Sequence, residues 1–202
     1  VDNGYGGIQI ASGFNLASAN LAGNLRLTHR YINAADGSSI EIGSGKTLTL
    51  DAFGTGSGLV SAFAADLLGT GTLQKTGAGT LQLSGNIAAP SNNDPSPQPA
   101  GIALRALAGT LVLSGADKTR NLASVEIAAD ADNAYAPLAK VDIGAGISTL
   151  NIGGQAFSVL RNKADLGAMT SSARAVLGND FSVASMEQLG NFSGTLEGLG
   201  HT

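Results

Sequence analysis

Cysteine is absent from the 202 residues, which removes disulfides, thiolate metal sites and cysteine nucleophiles from consideration. Tryptophan is absent too, and aromatic residues make up only 4% of the chain, so aliphatic side chains must fill the interior. Charge is sparse, at 13% of residues, with 11 basic against 15 acidic side chains and a formal net charge of −4. That balance excludes a basic nucleic-acid binder held by counterion release. No uninterrupted apolar run approaches the roughly 20 residues of a membrane-spanning helix, so the chain is not expected to be membrane-embedded. With 43% apolar residues it carries enough hydrophobic surface to fold, and its length suits one domain with a sizeable core.

What is abundant is glycine, 29 residues, about twice the usual share and without the every-third spacing of collagen. Many of these glycines open short phrases that alternate apolar and polar residues. Ile40–Leu50, Leu68–Lys75, Thr76–Gly85, Leu107–Gly115, Val141–Ile152 and Phe192–Leu196 are such phrases, with Gly-Thr-Leu-x-Leu as the recurring kernel. Alternation places Leu81 with Leu83, Leu111 with Leu113, and Val141 with Ile143 on one strand face, while Thr80, Gln82 and Val112 face the other way. Strands of three to five residues bent at glycines suit a chain wound into stacked coils rather than a sandwich of long hairpins. The expected fold is all-β, a right-handed parallel β-helix (β-solenoid) forming a single segment over residues 1–202, and its thin core accounts for the shortage of rings.

Two stretches interrupt the pattern. Residues 88–100 hold Pro90, Pro95, Pro97 and Pro99, which cannot donate backbone hydrogen bonds, and are expected to form a projecting loop. Within 163–177, Leu166, Met169, Ala173, Val176 and Leu177 fall at helical spacing ahead of Gly178, predicting a short helix on the side of the solenoid.

The run from Leu68 to Asn86, Leu-Gly-Thr-Gly-Thr-Leu-Gln-Lys-Thr-Gly-Ala-Gly-Thr-Leu-Gln-Leu-Ser-Gly-Asn, with Leu107-Ala-Gly-Thr-Leu-Val-Leu-Ser-Gly115, resembles the passenger repeat of bacterial autotransporters. The insert near 87–101 departs from that pattern. Phe157–Met169, Leu177–Asp180 and Leu189–Thr202 are similar to segments of filamentous-haemagglutinin-like adhesins exported by two-partner secretion. Together the resemblances cover about half the chain. They imply a β-helical adhesin segment, secreted or displayed on the cell surface of a Gram-negative bacterium. They also imply an outer-membrane transporter as partner during export, and a protein or glycan on a host or bacterial surface as ligand.

Chemistry-bearing residues are few. His29 lies in Leu27-Thr-His-Arg-Tyr31 and His201 near the end; neither belongs to a zinc-binding spacing, and His29 reads as an exposed strand or turn residue. No Gly-Asp-Ser-Gly or Gly-x-Ser-x-Gly phrase marks a catalytic serine. Asp130 and Asp132 stand close enough to share a cation, although a polar turn between coils explains them more simply. Gly69-Thr-Gly-Thr and Gly77-Ala-Gly-Thr precede strands, not the helix that a phosphate-binding glycine loop requires. Arg26, Arg30 and Tyr31, with His29 between, form one basic and aromatic grouping that could meet a sugar or partner, although an ordinary solvated strand face explains it more simply.

The expectation is therefore a non-catalytic adhesin segment, acting as stalk or binding surface, with no cofactor, metal or catalytic residue. The alternative is a self-associating matrix or filament subunit, and a polysaccharide-acting enzyme on the same coil is the third reading. Beginning at Val1 without a leader, the chain reads as a processed or excised segment. Residues 190–202 read as the start of another coil rather than a polar cap, which predicts that the chain either associates end to end or depends on residues beyond it.

Overall fold

Short strands separated by tight corners recur along the chain, and their order is cyclic. The computed structural model describes residues 7–17, 23–55, 59–88, 101–115, 118, 120–127, 139–169, 173–182 and 194–201. A first circuit comprises β1 (Gly7–Ile10), β2 (Asn15–Leu16) and β3 (Leu25–His29). The second is β4 (Tyr31–Ala34), β5 (Ser39–Ile42) and β6 (Thr47–Ala52), and the third β7 (Val60–Phe63), β8 (Asp66–Gly69) and β9 (Thr72–Thr76). The fourth is β10 (Thr80–Leu83), β11 (Ile87–Ala88) and β12 (Ile102–Ala106). Then follow β13 (Thr110–Leu113), β14 (Asn121–Ile127), β15 (Lys140–Ile143) and β16 (Thr149–Ile152). The chain closes with β17 (Gln155–Leu160), α1 (Lys163–Gly167), β18 (Arg174–Leu177) and β19 (Thr195–Glu197).

These strands build three sheets. The first is ordered β1-β4-β7-β10-β13-β15, the second β2-β5-β8-β11, and the third runs from β3 through β6, β9, β12, β14, β16, β17 and β18 to β19. Four consecutive circuits visit the sheets in the same rotation; in the fifth a single bridge from Arg120 to Ile87 stands where the second sheet would continue. Strand pairs are parallel throughout except β16 with β17. There Gly153 and Gly154, both with positive φ, make the two-residue turn of a hairpin between Ile152 and Gln155.

Register follows the alternation. In the first sheet Ile10, Ala34, Phe63, Leu83, Leu113 and Ile143 form one inward file, and Ser61, Leu81, Leu111 and Val141 the next. The six positions expected to be buried, Leu81, Leu83, Leu111, Leu113, Val141 and Ile143, are buried and stacked. The second sheet adds Leu16, Ile40, Leu67 and Ile87, and the third Leu25, Leu48, Leu73, Leu104 and Val125. One continuous aliphatic core results, with Phe63 and Phe157 as its rings.

The glycine of the recurring kernel has a steric reason. Gly54, Gly79 and Gly109 occupy the corner between third and first sheets in successive circuits. A Cβ on Gly54 would lie 2.4 Å from the Arg30 carbonyl oxygen, on Gly79 2.5 Å from that of Gly54, and on Gly109 2.5 Å from that of Gly79. Each corner rests on the backbone of the one before, and only glycine permits that approach.

One expectation needs correction. The helix predicted over 163–177 is confined to α1, capped at Asn162, whose side chain accepts from the amides of Ala164 and Asp165 at 2.8 and 3.1 Å. Arg174–Leu177 is instead strand β18, parallel to β17. Its Val176 enters the main core, whereas Ala175 packs with Leu160 and Leu166 in a second cluster under the helix. A strand buried on both faces loses its alternation, and here the resulting apolar spacing imitates a helix. Of the proline-rich stretch 88–100, Ala88 belongs to β11 and the rest lies outside the described residues.

At the other end, β19 stacks parallel on β18 and the chain then turns. Residues 198–201 form a tight turn, His201 N–H to Gly198 oxygen at 2.9 Å, laid along the outer edge of β15. Val141 N–H donates to the Leu199 carbonyl and Ile143 N–H to that of Gly178, both at 2.9 Å. Leu199 is a non-glycine residue with positive φ, 51°, a conformation costing on the order of 1 kcal/mol; its side chain is buried in the core, which offsets the strain.

Candidate binding surface

The basic and aromatic grouping singled out in the sequence straddles the corner between β3 and β4. Strand register sets beside it two residues from the next circuit, Asp51 opposite Thr28 and Phe53 just beyond Ala52, the partner of His29. Arg26 pairs with Asp51 and also donates to the Thr28 hydroxyl at 3.2 Å. The His29 and Phe53 rings stack with centroids 6.4 Å apart and planes 28° from parallel, and Tyr31 meets His29 edge-on at 6.5 Å. Tyr31 lies over Gly7, where a Cβ would come within 2.1 Å of the ring. His29 Nδ1 accepts the Arg30 amide at 2.9 Å, which fixes that nitrogen as unprotonated and leaves Nε2–H as the donor of the neutral ring.

Phe53 is 46% exposed and Arg30 is exposed, so the corner offers a ring face, a guanidinium and a charge-paired rim together. Such a surface suits the apolar face of a ring with hydroxyls at its edge, or a peptide side chain. Sequence reading found Arg26, His29, Arg30 and Tyr31 but missed Asp51 and Phe53, because only the register of β3 on β6 places them there.

Elsewhere the polar groups tie the molecule to itself. Along the outer face of the third sheet Arg105 holds Glu126 in a two-pronged contact at 2.8 and 3.2 Å and reaches Gln74 at 3.3 Å. Gln82 donates to the Ser114 hydroxyl at 2.9 Å. Lys75 stands in an inward file between Leu50 and Ala106 and is fully buried. Its ammonium faces four carbonyl oxygens, those of Thr76 and Gly77 at 2.6 Å, Ala108 at 3.2 Å and Ala52 at 3.4 Å. Burial lowers the Lys75 pKa to about 8, with Asp51 opposing the shift.

Two clefts with charged residues in their lining open on the later circuits. One of about 310 Å³ is lined by Lys118, Arg120, Asn121, Ser148, Thr149 and Asn151 among others, and Arg120 there donates to the Ser114 carbonyl. The other, about 540 Å³, runs between β15 and the segment after β18, lined by Lys140, Asp142, Arg161, Asn179 and Asp180. His201 lies beside it.

Among the described residues no group of three or more His, Cys, Asp or Glu side chains is placed to hold a metal, and no helix is long and apolar enough to cross a membrane. Asp130 and Asp132 lie outside the described residues. Compared with protein-family models, with curated proteins and with solved structures, the chain gives no match.

Proposed function

We propose that the chain is a segment of a right-handed parallel β-helix from a secreted, surface-displayed bacterial adhesin, serving as stalk and binding surface without catalysing a reaction. The observation that carries this reading is the cyclic order of strands, with three parallel sheets visited in rotation and inward files in register across the circuits. Parallel neighbours joined by crossovers favour the right-handed path. Stacked circuits make a scaffold whose outer faces are free to carry contacts, and the passenger-like phrases of the sequence give it a surface context. The Arg26, His29, Arg30, Tyr31 and Phe53 corner is the contact surface in this reading, and its ligand is a glycan or protein on a host or bacterial surface.

The test is binding of the full chain to immobilised glycans and surface proteins, with Phe53→Ala and Arg30→Ala as variants. Saturable binding weakened by either variant, at an unchanged melting temperature, supports the proposal. Turnover of acidic polysaccharides, seen as release of unsaturated or reducing ends, overturns it in favour of an enzyme. A filament subunit is the second reading. It draws on β19, whose Thr195, Leu196 and Glu197 are all exposed at the end of the third sheet; such edges pair with other chains. Mass growing with concentration in sedimentation, and reversed by Leu196→Lys, favours that reading.

A further inference from the structure

The edge of β15 is covered by the Gly198–His201 turn, which is held by the Val141 N–H to Leu199 carbonyl bond, by the buried Leu199 side chain and by contacts of the His201 ring. His201 has no exposed side-chain surface. Its Nδ1 lies 3.1 Å from Asp180 Oδ1, and its Nε2 lies 2.9 Å from the Val141 carbonyl oxygen and 3.4 Å from Asp142 Oδ1. Every one of these partners is an acceptor. A neutral imidazole has one N–H and one lone pair, so in either tautomer a lone pair would face an oxygen at about 3 Å. Only the imidazolium satisfies both sides.

The surrounding charges agree. Asp142 on β15 and Asp180 after β18 face the ring, and Lys140 on β15 lies 3.6 Å from the first and 3.8 Å from the second. Two carboxylates and one ammonium thus flank the ring. Arg161, at the end of β17, lines the same cleft and opposes protonation. Its guanidinium is turned to the carbonyls of Ile143, Gly144 and Ile147.

We propose that protonated His201 is a latch that fastens the Gly198–His201 turn over the outer edge of β15, and that deprotonation of the ring lets the turn lift from that edge. The inference does not rest on the adhesin reading.

Amide hydrogen exchange of the full chain followed from pH 5 to 8 tests it, because β15 supplies its own control. Val141 N–H points outward to the turn, whereas Gly144 N–H, immediately after β15, points the opposite way and donates to the Leu113 carbonyl at 2.7 Å. The ratio of their protection factors cancels the intrinsic pH dependence of exchange. It should fall by about tenfold or more as the ring deprotonates, as expected for loss of a charge-assisted bond, and become independent of pH in His201→Gln. A constant ratio in the native chain, or the same fall in His201→Gln, overturns the latch. Nitrogen-15 spectra of the His201 ring in the native chain decide the matter even where the variant does not fold. Both nitrogens protonated while Val141 is protected supports the latch, and a neutral ring with Val141 still protected overturns it.

Discussion

Residues 31–113 and residues 149–201 extend the same third sheet by different means. In the first region each strand pairs with the strand one circuit away, always parallel, and the glycine at each corner between third and first sheets rests on the backbone of the circuit below. In the second, β17 folds straight back on β16 through Gly153 and Gly154, a five-residue helix covers the outer face of β17 and β18, and a turn closes the edge of β15. The first region is held by periodic burial, so its stability is spread over equivalent positions. The second is held by particular contacts, a cap here and a buried ring there, and its failures should be local.

The sharpest way to break that contrast is a charge inside the periodic core. Leu83→Asp would bury an unpaired carboxylate between Phe63 and Leu113, costing at least about 4 kcal/mol; thermal or denaturant unfolding should show collapse of the whole chain. A variant melting like the parent would mean that the circuits are not one cooperative unit.

Lys75 gives the next largest effect, and it has a sign. Its folded pKa of about 8 lies below the ordinary lysine value of 10.5, so between those two values the unfolded chain holds a proton that the folded chain has lost. Stability from this group therefore rises with pH across that window, by on the order of 3 kcal/mol in all. Denaturation midpoints from pH 7 to 10.5 should rise more steeply in the native chain than in Lys75→Met, and equal slopes would contradict the buried ammonium.

Gly79→Ala should cost about 2 kcal/mol, because its methyl would press on the Gly54 carbonyl, whereas Gly167→Ala, with open space around it, should be neutral or stabilising. Similar denaturation curves for the two would remove the steric role of the kernel glycine. Smallest is Asn162→Ala in the irregular region, about 1 kcal/mol through the lost cap. It should loosen exchange at Ala164 and Asp165 and leave the amides of Leu81 and Leu111 unchanged.

What was legible in the sequence follows the same division. The inward positions from Leu81 to Ile143 could be assigned because alternation and a glycine-marked corner recur together, each confirming the other. The helix over 163–177 could not be delimited, since Ala175 and Val176 are buried on opposite faces and alternation vanishes. Two residues of the corner surface were hidden for another reason. Arg26 and His29 are adjacent in sequence to their neighbours Arg30 and Tyr31, but Asp51 and Phe53 join them only through a register offset, and that offset changes from circuit to circuit. Lys75 looked like an ordinary polar residue of a strand, because nothing local announces that four carbonyls will converge on it.

That varying offset bears on how the chain assembles. Val60 pairs with Thr80, a separation of 80 − 60 = 20 residues, and Thr80 with Thr110, a separation of 30; the longer span includes the proline-rich stretch. Closing a loop of 30 rather than 20 residues costs only about 0.4 kcal/mol more in chain entropy, which the ladder of one strand readily offsets. Each new circuit meets its partner within one span of the chain regardless of how many circuits already stand. The entropic hurdle to adding a strand therefore does not grow with the height of the stack, and folding can advance from any formed pair of circuits toward either end.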